Sequence, residues 1–533
     1  MQRITSLLLI MIAVPMIAFG VAFGVLWKGE RDWQAALVQR FPTASAEQRA
    51  ALTLQGVCQD PSVRKGLESV CSYVDYMRYM RFASLLIGMA GLGWLGLIAL
   101  AGRLARTSRI LLLRIFRPGL HLTNLFLIVL IAVHAILAIV ALYFGESALI
   151  GRIHFGVIIV IGLGALAGVA AIAKVSFFLV RTVTTAVIGK PISPQQAPEL
   201  WAFVRDLSKA VDVQPPEHIV VGLDPNFFVT EAHVGTLDGE LQGRTMFMSL
   251  PLSRILTRAE LQGVIGHELG HYKGQDTQFS QKFYPIYRGT LEGLQALSTS
   301  GGEGAGNIAL LPAFAMLSFF LNAFAVAENT ISRERELAAD KVGAVIAGPK
   351  ATAAALVKVY AFSGYWPLIR NEMVEVIQEG KIFTNVGSMF ANLVSAMAKP
   401  EALSDLDERR LSHPTDSHPP LSLRLQNLGV SLQDVQAPAL QISPERAAIT
   451  LVPDYEKAEE GISRRLSTIS LLGRWESDSR LLTRRGKRQR DDLGPAASLA
   501  RWGDTKDRVV MDGPYLVGIS DIFWQLTGFR VSA

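Results

Sequence analysis

Within Gly266-His267-Glu268-Leu269-Gly270-His271, two histidines stand four residues apart with a glutamate between them. On a helix, positions four apart share a face, so His267 and His271 can offer imidazole nitrogens to one metal ion, with Glu268 beside them. Zinc is the default occupant of such a pair. It takes nitrogen and carboxylate ligands in a tetrahedral shell, and a catalytic site leaves one of the four positions to water. Glu268 is then placed as general base, taking a proton from that water and passing it to a leaving amine. A zinc hydrolase needs a third protein ligand, usually from a second helix, and Glu336 in Ser332-Arg333-Glu334-Arg335-Glu336-Leu337-Ala338-Ala339-Asp340 fits. Asp340 follows Glu336 by one turn on the same face, where its carboxylate could accept the outer ring N–H of His267 or His271. The expectation is one Zn2+ per chain. The rival is a scaffold with a structural zinc, but structural sites normally close with four protein ligands, whereas three are evident here and a base stands beside them.

These side chains need two helices and a frame. Thr257-Arg258-Ala259-Glu260 has the capping-box pattern, so the metal helix is predicted to begin near Arg258. Gly263, Gly266 and Gly270 weaken that helix by roughly 1 kcal/mol each relative to Ala, which points to close approach by a neighbouring backbone. Upstream, a helix is predicted at about 199–211. Short apolar or β-branched runs at 218–221, 226–230 and 245–248, separated by Gly and Asp turns, predict a small antiparallel sheet. After Asp340 helical patterning continues to about Lys399. The prolines of His413-Pro414-Thr415-Asp416-Ser417-His418-Pro419-Pro420 then hold the chain extended.

H-E-x-x-H followed by S-R-x-x-E-x-x-A-D resembles the membrane metallopeptidase family that contains the CAAX prenyl endopeptidases and the HtpX-type stress proteases, a branch of the gluzincins. The likeness covers about residues 195 to 430, and includes Asn226-Phe227-Phe228 before the motif and His418-Pro419-Pro420-Leu421 with Arg424 after it. It implies an α+β gluzincin metalloprotease domain whose small sheet takes substrate as an added edge strand. By the same resemblance Asn226, Phe227 and Arg424 are candidates for substrate binding. His418 and Arg424 fall near the active cleft, where His413 or His418 would stabilise the tetrahedral oxyanion or cover the zinc, unless the segment simply caps the domain. The substrates implied are misfolded or damaged membrane proteins, in quality control. Prenylated CAAX peptides are the alternative and would require a large enclosed apolar chamber.

At 533 residues, half of them hydrophobic, the chain exceeds one ordinary domain and much of it belongs in lipid. The fold expected is mainly α: a membrane domain over 1–181, a catalytic domain over 190–430, and a basic tail of unknown role over 431–533. Four spans are predicted, at 5–27, 82–102, 123–144 and 153–173, each long enough for a hydrocarbon core of about 30 Å. The first reads as an uncleaved anchor. Arg103, Arg106, Arg109, Arg114 and Arg117 follow the second span without an acidic residue among them, which orients that loop to the cytoplasm. The loop 28–81 is then extracytoplasmic and the catalytic domain cytoplasmic, in an integral protein of a bacterial inner membrane.

Since many Arg lie beside spans, the net charge of +6 does not call for nucleic acid, and no such partner is expected; the partners are peptide or protein substrates and the bilayer. Cys58 and Cys71 are the only cysteines, which excludes a Cys-ligated zinc. They either close a small disulfide, in an oxidising compartment, or remain two thiols. His134 and His154, at the third and fourth spans, are expected as packing residues. Residues 307–327 are apolar enough for a fifth span, yet a lone crossing would put Glu336 about 30 Å from the histidines. Lys282, Arg288 and Glu292 argue against a return span before it. The expectation is a re-entrant, membrane-surface or buried helix that starts and ends on the cytoplasmic side. The run Arg484–Arg490 is expected to face solvent or lipid headgroups.

Overall fold

A computed structural model describes residues 2–177, 184–300, 305–404, 406, 418–442 and 447–468. The chain divides into two compact units, Met1–Arg181 with Pro285–Ala327, and Thr182–Tyr284 with Glu328–Ala533.

In the first unit, α1 (Gln2–Arg40) is followed by three short helices, α2 (Ala46–Ala51), α3 (Leu54–Gln59) and α4 (Pro61–Arg64), and then by α5 (Glu68–Ala105), α6 (Arg109–Leu149) and α7 (Phe155–Phe177). The four long helices overlap the four stretches expected as spans, α7 beginning two residues after the expected 153. Ile17, Leu85, Leu97, Leu125, Ile136 and Leu166 stand exposed on them, an apolar surface suited to lipid. The protein is an integral membrane protein. Cys58 of α3 and Cys71 of α5 form a disulfide with their Cα atoms 5.2 Å apart. It lies in a core with Val25, Leu26, Leu54, Val74 and Met77, and so fastens α3 to the start of α5. His134 is buried, and the His154 ring meets the Glu146 carboxylate at 2.9 Å.

The same unit includes residues 285–327. The Phe116 ring lies 5.7 Å from that of Phe320 and 5.3 Å from that of Phe324, and a Cβ on Gly102 would meet the Ala323 Cβ at 3.0 Å. Four spans are expected from the sequence, yet five helices among the described residues are long and apolar enough to cross, the fifth lying over Pro312–Ala347. Arg288 and Glu292 make the stretch before it a poor crossing by composition. Even so, the chain enters the apolar unit at Pro285 and leaves it at Ala327.

The second unit begins with β1 (Thr184–Ala186), β2 (Gly189–Ile192), α8 (Pro198–Ala210), β3 (His218–Gly222), β4 (Phe228–Thr230), β5 (His233–Thr236), β6 (Gly239–Leu241), β7 (Thr245–Ser249) and α9 (Leu250–Ile255). The site elements follow: α10 (Arg258–Lys273), α11 (Asp276–Ser300) and α12 (Ala305–Ala347). The division between units falls within α11 and within α12. Beyond them come α13 (Pro349–Phe362), α14 (Trp366–Gln378), α15 (Val386–Met397), α16 (Glu401–Ser404), α17 (Leu421–Asn427) and α18 (Leu432–Leu440).

The strands make a four-stranded sheet in the order β2-β3-β7-β4 and a three-stranded one in the order β1-β5-β6. Both are mixed, not antiparallel as expected. The chain makes β4, β5 and β6 between β3 and β7 and returns alongside β3 in the same direction, with Val220 opposite Phe247. β4 pairs antiparallel with β7 and ends the sheet.

One face of the larger sheet, with Val221 and Met248, packs with Leu261, Ile265 and Leu269 of α10 and with Phe362 and Trp366. Ile449, Leu451, Ile462 and Leu466, which lie beyond the expected boundary at 430, join this core. The Ala448 N–H donates to the Leu256 carbonyl at 2.7 Å. Arg254 bonds the buried Glu459 carboxylate from its Nε at 2.9 Å. Lys358, fully buried, donates to the carbonyls of Ile255 and Gln441 at 3.0 Å each and to Glu260 at 2.9 Å. The basic run at 484–490 and His413 lie outside the described residues.

Candidate metal centre

The expected capping box starts α10: the Glu260 N–H donates to Thr257 Oγ1 at 3.2 Å and the Thr257 N–H to the Glu260 carboxylate at 2.7 Å. Tyr272, near its other end, donates its hydroxyl hydrogen to the Thr245 carbonyl at 3.0 Å, tying the helix to β7. The three glycines lie where neighbouring backbones arrive. A Cβ on Gly263 would meet the Thr352 Cα, one on Gly266 the Gly343 Cα, and one on Gly270 the Ala339 Cα, each at 3.0 Å. Only that close a crossing lets Glu336, one turn before Ala339 and Asp340 on α12, reach the histidines of α10.

His267, His271 and Glu336 each aim one ligand atom into a space where those atoms lie within 4.8 Å of one another. The two Nε2 atoms are 3.1 Å apart. Glu336 stands 3.3 Å from His271 Nε2 through Oε1 and 3.7 Å from His267 Nε2 through Oε2. The outer nitrogens are held by carboxylates. His267 Nδ1 meets Asp340 Oδ1 at 2.9 Å, and His271 Nδ1 meets Asp276 Oδ2 at 2.8 Å. Each carboxylate accepts the Nδ1 proton and leaves an Nε2 lone pair facing inward. Asp340 thus serves His267 alone. Asp276 is the partner that sequence reasoning missed; its signal is an acidic residue five positions past His271, just beyond a Gly-Gln turn.

Two further expected residues join the cluster. His418 Nδ1 meets Glu336 Oε2 at 2.8 Å. Arg424 donates to both Asp340 oxygens, from Nε at 2.8 Å and from a terminal nitrogen at 2.5 Å, and both residues are buried. An arginine so engaged is not free to bind substrate. Asn226 and Phe227 sit just before β4, and no described hydrogen bond or ion pair joins them to the three ligands. The Phe227 side chain is 8% exposed and packs in the domain core, which removes it as a substrate contact. The Asn226 N–H donates to the Asp224 carbonyl at 2.8 Å, a turn bond that shapes the approach to β4.

Residues 194–430 match peptidase family M48. A protease HtpX homolog of Desulfatibacillum aliphaticivorans is 30% identical over 276 residues, covering 49% of this chain and 76% of that protein. The chain belongs to peptidase family M48. A protease HtpX homolog of Archaeoglobus fulgidus is 28% identical over 248 residues, covering 45% of this chain and 70% of the relative. One of Arthrobacter is 32% identical over 172 residues, covering 32% of this chain and 57% of the relative. With its apolar helices, this M48 chain is a membrane-anchored metalloprotease, and the family implies a bound metal.

The M48 site fits a cation. Two imidazole nitrogens and a buried carboxylate converge there, a donor set that suits zinc. Burial pulls the pKa of His271 down, but Asp276 and Glu336 outweigh it and hold the imidazole up to about 10. Positive charge is therefore favoured on this side of the cluster. Glu268 is buried beside the ligands. Loss of water pushes its carboxyl above the ordinary carboxylate range, against the opposing pull of His267 and His271.

Proposed function

We propose that the chain is a zinc endopeptidase that cleaves membrane proteins, with His267, His271 and Glu336 as metal ligands and Glu268 as general base. The convergence of those three ligand atoms beside a buried glutamate carries this reading. Zinc, when bound, supplies Lewis acidity and lowers the pKa of water. Glu268 removes a proton from the attacking water and delivers it to the departing amide nitrogen. Asp340 and Asp276 keep both imidazoles in the tautomer that presents Nε2 inward. His418 orients Glu336 through their 2.8 Å hydrogen bond. A substrate backbone adds to the free edge of β4, whose partner strand β7 is tied to α10 through Tyr272.

The active site faces the cytoplasm from the inner membrane. The arginines between α5 and α6 favour that orientation, and the Cys58–Cys71 disulfide suits an oxidising exterior for the loop between α1 and α5. Misfolded membrane proteins fit as substrates because a pair of chain segments, within α11 and α12, joins the catalytic unit to the apolar one.

Glu268→Gln in the purified full-length protein tests the assignment, with zinc measured by elemental analysis and cleavage followed on an unfolded membrane protein in detergent. The expected result is one zinc per chain and loss of cleavage. Wild-type turnover by this variant would overturn the role of Glu268, and a zinc-free wild type would overturn the ligand set.

A further inference from the structure

The hydrogen bonds around His271 continue past its carboxylate. We infer that Asp276 and Arg335 are a positioning pair that fixes His271 and locks the start of α11 and the ligand-bearing part of α12 to the metal helix, an assignment that rests on His267, His271 and Glu336 holding a metal.

Asp276 uses both oxygens. Oδ2 meets His271 Nδ1 at 2.8 Å, and Oδ1 accepts from Arg335 Nε at 3.1 Å. Its side chain is 13% exposed, so little water competes for it. The backbone is shaped to deliver it. Gln275 takes the left-handed φ of 57°, which turns the chain between α10 and α11 and returns the first residue of α11 toward His271. Gly274 leaves room for the guanidinium: a Cβ there would fall 1.5 Å from an Arg335 terminal nitrogen. Arg335 immediately precedes Glu336 on α12. One carboxylate therefore opens α11, holds the second histidine of α10, and grips the neighbour of the third ligand on α12.

The other histidine is built alike, with Asp340 on His267 and Arg424 on Asp340. There the guanidinium comes from α17. Around His271 it comes from the ligand helix itself, so rotation or sliding of α12 would move Arg335 and Glu336 together. Neither Asp276 nor Arg335 aims an atom among the three ligand atoms. Their effect passes through His271 and the setting of α12. Such outer partners of metal-bound histidines change affinity by 10- to 100-fold when removed, about the range expected for Asp276.

The test uses the full-length protein in detergent and the variants Asp276→Asn, Arg335→Gln, Gly274→Ala and the Asp276→Asn/Arg335→Gln double. Zinc affinity is read by competition with a chromophoric chelator, the cobalt-substituted protein by its visible spectrum, and the metal-free protein by its melting temperature. Asp276→Asn should weaken zinc binding about 10- to 100-fold and shift the cobalt spectrum, while any fall in the metal-free melting temperature stays too small to account for the lost affinity. Arg335→Gln and Gly274→Ala should each weaken zinc binding by a smaller factor. The double variant should be no weaker than Asp276→Asn, because Arg335 acts through Asp276.

Wild-type affinity in Asp276→Asn would overturn the inference while leaving the metal site standing. Full additivity in the double variant would also overturn it, as would metal-free destabilisation large enough to account for the zinc loss. A wild type that takes up no zinc would instead overturn the metal assignment, and this inference with it.

Discussion

Gly343 of α12 faces the Gly263 carbonyl of α10 so closely that a Cβ on Gly343 would lie 2.5 Å from that oxygen. Two opposing magnitudes decide what alanine does there. Replacing a helical glycine gains about 1 kcal/mol in propensity, whereas forcing a methyl into a closed backbone contact costs about 1–3 kcal/mol. The obstacle is main chain and cannot rotate away, so the cost wins. Gly343→Ala and Gly266→Ala should each lower the melting temperature and weaken zinc binding, since the crossing they widen is the one that brings Glu336 to the histidines. Thermal unfolding with and without zinc checks this. Unchanged affinity in both variants would mean that α12 can retreat without moving its ligand.

The same helix carries the buried pair of Asp340 and Arg424. Breaking a buried ion pair from one side strands the other charge and typically costs about 3–5 kcal/mol. Arg424→Met should therefore destabilise the catalytic unit more than Asp340→Asn/Arg424→Met, in which no uncompensated carboxylate remains. Asp340→Asn alone should also be destabilised, because it strands the buried Arg424 guanidinium, and should lose about 10- to 100-fold in zinc affinity, because the His267 ring loses its anionic acceptor. Denaturant unfolding and chelator competition separate the two effects. Equal stability of Arg424→Met and the double variant would show that Asp340 is already relieved by other groups.

What the sequence disclosed followed from local chemistry. The histidine spacing, the capping box at Thr257 and Glu260, and the glycines of α10 are written within single turns, and all appear as expected. Glu336 and Asp340 could be found because a histidine pair lacks a third ligand and an outer acceptor. Other features depend on distant residues. Nothing near β3 says that its neighbour is β7 in parallel, since that depends on where the chain returns after β6. Phe227 looked available for substrate, but tertiary packing claims it for the core. Ile449 and Ile462 are hidden for the same reason: they follow a composition change, yet they complete a core laid down two hundred positions earlier. The charges of 285–300 keep it out of the helices apolar enough to cross, as expected, although the chain there belongs to the apolar unit.

Topology links that segment to the chemistry. Gln275 precedes α11 and Lys350 follows α12; both are exposed, and the chain enters and leaves the apolar unit between them. An even number of crossings there would leave both probes on one side of the membrane, as ligands shared by α10 and α12 demand. With the native disulfide retained, an introduced cysteine at position 48, 275 or 350 is the only free thiol. In intact cells an impermeant maleimide should label Gln48→Cys and spare Gln275→Cys and Lys350→Cys until the membrane is opened. The parent protein should take up two alkylating groups only after reduction. Labelling of Gln275→Cys and Lys350→Cys from opposite sides would rule out an even number of crossings between them. Labelling of both from outside would invert the orientation and turn the active site toward exported proteins.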